Sequence, residues 1–220
     1  MQKALTLLVL ATLCAAAHGE GKLAPKQELA LDPHKFQVVK RDSGPVNYYQ
    51  VVEADGGAYI HSAYKPPDET MTRGYQVPDE KRRAFHTLSW RWRAVNLPLG
   101  GNECADGKGD SAAVVYVTWK RGLKWYALKY VWSAVGPKGA VCDKKSNWFR
   151  AQQTVILETG GPLNTWVNES IDLDAEYRKH FEDGDPKAEV PDFMGIGIMS
   201  DGDQTHSLSS ADFANFVLRG

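Results

Sequence analysis

The chain has 220 residues, with 26 Lys and Arg against 27 Asp and Glu and a formal net charge of −1. So even a balance excludes the basic footprint by which nucleic acid or an anionic membrane is held. Lys81-Arg82-Arg83 is too short a basic run to alter that.

Lys3, the apolar stretch Ala4 to Leu13, and the small residues Ala15, Ala16, Ala17 and Gly19 follow the order of a secretory signal peptide. The apolar run is shorter than the roughly 20 residues a helix needs to span a bilayer. Residues 1–19 are therefore read as a leader cleaved after Ala17 or Gly19. The mature protein is expected to be periplasmic or secreted, monomeric, and without a membrane span. Residues 20–35 are expected to form a flexible lead-in, and residues 36–220 a single domain, a size that supports one core. After cleavage two cysteines remain, Cys104 and Cys142, each in a polar loop, and an exported chain most simply joins them in a disulfide.

Beyond the lead-in the hydrophobic period is mostly two. Val46 to Glu53 and Ala58 to Tyr64 flank Ala54-Asp55-Gly56-Gly57, which predicts a β-hairpin. Leu88, Trp90, Trp92 and Ala94 share one strand face, and Ser89, Arg91 and Arg93 the other. Ala112 to Trp119 is nearly all apolar, as in a strand covered on both faces, and Trp125 to Trp132 is aromatic and strand-like. Gln152 to Leu157 alternates less clearly. Asp174 to Phe181 breaks the pattern: Tyr177 and Phe181 lie one helical turn apart, with acidic residues early and basic residues late, which predicts a short helix. Phe193 to Met199 and Ala211 to Leu218 return to strand. About nine strands and one helix predict an all-β, two-sheet β-sandwich or jelly roll.

The runs Leu88 to Val95, Gly109 to Val117 and Ala127 to Trp132 occur in order with Trp166 and Glu169, the helix around Tyr177, and Gly195 to Thr205. Together they resemble the bacterial domain-of-unknown-function family numbered 3047. The resemblance implies an exported bacterial β-sandwich similar in shape to galactose-binding-like and carbohydrate-binding modules. It implies no particular reaction.

Chemistry concentrates where the strand Phe193 to Met199 stops and Ser200-Asp201-Gly202-Asp203-Gln204-Thr205-His206 begins. The turn reads as an Asx-type structural turn. Asp201 and Asp203 also offer hard oxygen ligands for a structural calcium ion, the one cofactor the chain suggests. The spacing of Asp201, Asp203, Thr205, Ser207 and Asp212 is that of a calcium loop. His206, however, stands where an EF-hand requires glycine. Arg91, Arg93, Asp110, Asp201, Asp203 and Thr205 are expected to line one polar ligand-binding groove. A serine-hydrolase alternative uses Ser111, Asp203 and His206 as nucleophile, orienting acid and base, although Ser111 precedes a strand instead of a helix. A carboxylate pair is a second hydrolytic alternative. The leading expectation is non-catalytic binding of a glycan or other polar envelope component. A structural or protein-interaction role in the cell envelope is the third reading.

Overall fold

A computed structural model describes residues 27–41 and 47–220. The leader and Val46, the first residue of the predicted hairpin, lie outside the described residues. In chain order the elements are β1 (Glu28–Ala30), β2 (Gln37–Arg41), β3 (Tyr49–Val52), β4 (Tyr59–Tyr64), β5 (Met71–Gln76), β6 (Thr87–Asn96) and β7 (Ser111–Arg121). There follow β8 (Lys124–Ser133), β9 (Val141–Ser146), β10 (Arg150–Thr159), β11 (Val167–Asp172), α1 (Leu173–Phe181), β12 (Asp192–Met199) and β13 (Ser209–Arg219). One sheet runs β11-β6-β13-β4-β3, with β1 added to β13. The other runs β2-β5-β12-β7-β8-β10-β9. The molecule is the all-β two-sheet sandwich that the period-two patterning predicts.

Inward parity builds the core. Leu88, Trp90, Trp92 and Ala94 of β6 are all buried, facing Val115, Val117 and Trp119 of β7 and Leu128, Tyr130 and Trp132 of β8. Trp90 and Trp92 meet edge to face, with centroids 5.7 Å apart, and Trp92 meets Trp132 in the same way at 6.0 Å. The helix α1 begins at Asp172, whose carboxylate accepts from the backbone N–H of Asp174 and Ala175. Its Tyr177 and Phe181 pack on Trp119 and Tyr126, closing one end of the sandwich.

Two features depart from expectation. Part of the lead-in is structured: β1 pairs with the end of β13, and Leu31, 5% exposed, donates its N–H to Phe216 O at 2.9 Å. The weakly alternating Gln152 region lies inside a strand, β10, which runs parallel to β8. That pairing needs β9 and its flanking turns as a crossover, a long-range connection that local periodicity does not encode.

Candidate functional site

The outer face of the seven-stranded sheet, away from the core, divides into two regions. At one end Val114, Val131, Ile156 and Met199 form a second apolar cluster with Cys142. At the other end the same strand faces open into a groove of about 760 Å³. β8 contributes Trp125, Ala127 and Lys129, every second residue, and β10 contributes Arg150 and Gln152. β7 adds Tyr116 and Thr118, β5 adds Thr72 and Tyr75, and β12 adds the side-chain-free Gly195 and Gly197. The segment between β6 and β7 forms one wall through Glu103, Cys104 and Gly109. A disulfide from Cys104 to Cys142, with Cα atoms 5.1 Å apart, ties that segment to β9, as the cysteine pattern predicts.

Glycine is required at the groove floor. Gly195 has φ +151°, and a Cβ there would lie 2.2 Å from Tyr75 O on the neighbouring strand. The two backbones approach as closely as they do because no side chain stands between them.

Behind the wall sits a buried ion pair. Lys129 Nζ lies 2.9 Å from Glu103 Oε1 and 3.0 Å from Oε2, and donates also to Gly109 O at 3.3 Å. Burial opposes the Lys129 charge, but Tyr116, Glu103 and Asp201 outweigh it and hold the ammonium above its ordinary value. Ser111 Oγ donates to Glu103 Oε1 at 2.7 Å. Glu103 and Lys129 were not among the residues singled out from sequence. The available signal was a lone lysine on the outward face of an otherwise apolar strand.

The acidic turn adjoins this pair. Asp110, fully buried, accepts from Thr205 N at 2.7 Å, Thr205 Oγ1 at 2.6 Å and Gln204 N at 3.3 Å. The turn is thus braced by a carboxylate from across the fold, and among the described residues no backbone N–H donates to Asp201 or Asp203 as the Asx-type turn read from sequence would require. Asp201 is 6% exposed and its Oδ1 has no hydrogen-bond partner. Burial drives its carboxyl well above the usual range against the pull of Lys129, and Asp203, Asp110 and Glu103 push the same way as burial. Oxygens of Asp110, Asp201 and Asp203 lie within 4.8 Å of one another.

The structure divides the six residues expected in one groove. Asp110, Asp201, Asp203 and Thr205 come together, whereas Arg91 and Arg93 do not join them. β6 belongs to the other sheet, and its Trp90 and Trp92 occupy the core, so its arginines emerge on the opposite side of the molecule. There Arg91 and Arg93 stack on Trp166, with guanidinium carbons 4.6 and 4.7 Å from the ring centroid. Arg93 and His61 share Asp212, at 2.5 and 2.6 Å. Asp212 is therefore no part of a calcium loop. The serine set is not assembled either. Ser111 is fully buried with its hydroxyl given to Glu103, and His206 stands exposed at φ 51°. Among the described residues no hydrogen bond joins His206 to Ser111 or Asp203.

With this geometry in place, the family is decided by a family model, described as a protein of unknown function (DUF3047), that matches residues 35–217. The chain belongs to the DUF3047 family. Among curated proteins none matches it. In overall shape this DUF3047 protein is similar to the xyloglucanase domain of NopAA, a type three effector from Sinorhizobium fredii, in complex with cellobiose. Identity is 13%, with 90% of this chain and 99% of that one covered and a TM-score of 0.45. It is also similar to Trichoderma harzianum endoglucanase 3 of family GH12, at 10% identity, covering 90% and 98% with a TM-score of 0.43. A third likeness is to endoglucanase cel12A from Rhodothermus marinus, at 11% identity, covering 88% and 99% with a TM-score of 0.40. Among the described residues no helix is long and apolar enough to cross a membrane.

Proposed function

We propose that this DUF3047 protein is an exported, non-catalytic binding protein whose groove on the seven-stranded sheet holds a segment of a glycan. The observation that supports this reading is the lining itself. A groove of about 760 Å³ presents flat aromatic rings beside polar side chains that stand on rigid strands. Trp125 is 41% exposed at the groove, and Phe149 and Trp148, at 66% and 90%, follow it around the adjoining turn. Trp125 N–H donates to Phe149 O at 2.9 Å, so this end of the groove runs directly into the aromatic turn. Such faces suit the apolar side of a sugar ring, and Gln152, Arg150, Thr118 and Gln76 supply donors and acceptors for its hydroxyls.

The non-catalytic part of the reading is supported by the engagement of two of the acidic groups, while Asp201, whose Oδ1 has no hydrogen-bond partner, is the groove carboxyl that the reducing-end assay tests. Glu103 is held by Lys129 and Ser111, and Asp110 by Thr205 and Gln204. Neither carboxylate is left free to move a proton.

An array of plant, fungal and bacterial-envelope polysaccharides tests the proposal, followed by calorimetry on any ligand found. Trp125→Ala is expected to weaken binding about tenfold, equivalent to ~1.4 kcal/mol, with the fold unchanged. No reducing ends should appear on prolonged incubation. Absence of binding to every glycan, or binding indifferent to both Trp125→Ala and Gln152→Ala, counts against the groove. Release of reducing ends counts against the non-catalytic role.

A further inference from the structure

Three carboxylates meet beside the groove from two separate parts of the chain. Asp110 ends the segment before β7, and Asp201 and Asp203 occupy the turn after β12. Two of them are buried, and among the described residues no Lys, Arg or His forms an ion pair with any of the three. Lys129, the ammonium nearest in the network, is matched one for one by Glu103. Asp110 and Asp201 are buried and Asp203 opens on the groove side, so the three carboxyls cluster at the edge of the groove with no cation of the described residues paired to them. Ionising carboxyls so close together without compensation is unfavourable, and a divalent cation bound among them would supply the missing positive charge. The unpartnered Oδ1 of Asp201, nine-tenths buried with its residue, is the free ligand atom.

We infer that Asp110, Asp201 and Asp203 form a binding site for one calcium ion at the end of the groove. Calcium takes oxygen ligands at about 2.3–2.6 Å, so two ligands on opposite sides of the ion stand up to about 5 Å apart. The spacing within 4.8 Å falls inside that reach. Calcium also tolerates uneven ligand sets of six to eight oxygens, which suits a site in which Asp110 already accepts from Thr205 and Gln204. Asp201 and Asp203 line the groove, so coordination positions not filled by the protein face the space a ligand occupies. The ion site stands independently of the glycan reading, and its test uses the metal alone.

The full chain is stripped with EDTA, dialysed, and titrated with calcium chloride by isothermal calorimetry and thermal melting. One calcium ion per chain is expected, with a rise in Tm of roughly 5–10 °C at a hundredfold excess over Kd. Magnesium, which demands shorter and near-octahedral geometry, should give a smaller rise. Asp201→Asn should abolish the heat and the Tm rise while the calcium-free protein melts at or above the wild-type temperature, because a neutral amide of the same shape replaces a buried carboxyl that has no cation beside it. Asp203→Asn, at the more open side of the cluster, should weaken binding at least tenfold and serves if Asp201→Asn does not fold. A wild-type protein indifferent to calcium overturns the site. So does a calcium response that survives both substitutions, and an equal response to magnesium overturns the assignment to calcium.

Discussion

Lys129 and Glu103 show how much rests on a single buried pair. The side chains are 8% and 2% exposed, and three donors converge on Glu103: both contacts from Lys129 and the Ser111 hydroxyl. Removing one partner leaves the other charged in a dry site, which typically costs about 3–5 kcal/mol. Lys129→Met and Glu103→Gln are each expected to lower stability by about that amount in urea unfolding. The combined Lys129→Met/Glu103→Leu variant should recover much of the loss, because neither charge is then stranded. If the losses of the two single variants simply add in the double variant, the pair is not coupled.

At the scale of elements, β12 depends on being thin. A Cβ at Gly195 would overlap Tyr75 O on β5, at 2.2 Å, in a backbone conformation that disfavours a side chain. Gly195→Ala is expected to cost roughly 3 kcal/mol or more and to widen the β5–β12 pairing that floors the groove. Amide exchange along Met71–Gln76 reads that loosening. The helix α1 carries a different sensitivity. Glu176 Oε2 lies 3.4 Å from His180 Nε2 and accepts from the Tyr130 hydroxyl at 2.7 Å. His180 first, against the effect of burial, and then Tyr130 and Lys179 hold the Glu176 carboxyl down to about 2. A carboxyl lowered on folding stabilises the native state above its unfolded value, and the gain is lost as pH falls toward the folded one. Stability should therefore decline between about pH 4.5 and pH 2, and Glu176→Gln should flatten that decline. Urea midpoints across this range provide the measurement.

For the whole molecule, the disulfide organises the functional face. It ties the β6–β7 segment, which carries Glu103 and Asp110, to β9 at the far edge of the seven-stranded sheet. With the cysteines 38 positions apart, closing the loop contributes about 4 kcal/mol in the chain-entropy model. The Cys104→Ser/Cys142→Ser variant should lose about that amount and should also loosen the groove wall. A variant as stable as the wild type would show that packing alone holds the segment.

Much of the architecture was legible in the chain because the cues are local. Leu88, Trp90, Trp92 and Ala94 declare a core face by alternation. Asp174 to Phe181 signals a helix through the spacing of Tyr177 and Phe181 and its charge order. The polar turn after Met199 marks where a buried strand ends. These cues depend on neighbours two to four residues apart, and the sequence by itself determined them, together with the choice of Cys104 and Cys142 as partners. Only the tertiary structure decided which sheet each strand joined, and with it which polar faces meet. Alternation shows that Arg91 and Arg93 point away from Trp90 and Trp92, but not that β6 lies in the sheet opposite the acidic turn. Nor does it show that Lys129 reaches back 26 residues to Glu103. Strand partners are selected by long-range backbone pairing and by which apolar faces bury each other best. The acidic turn is thus written in the sequence, while its company of Asp110, Lys129 and an open groove is a product of the fold.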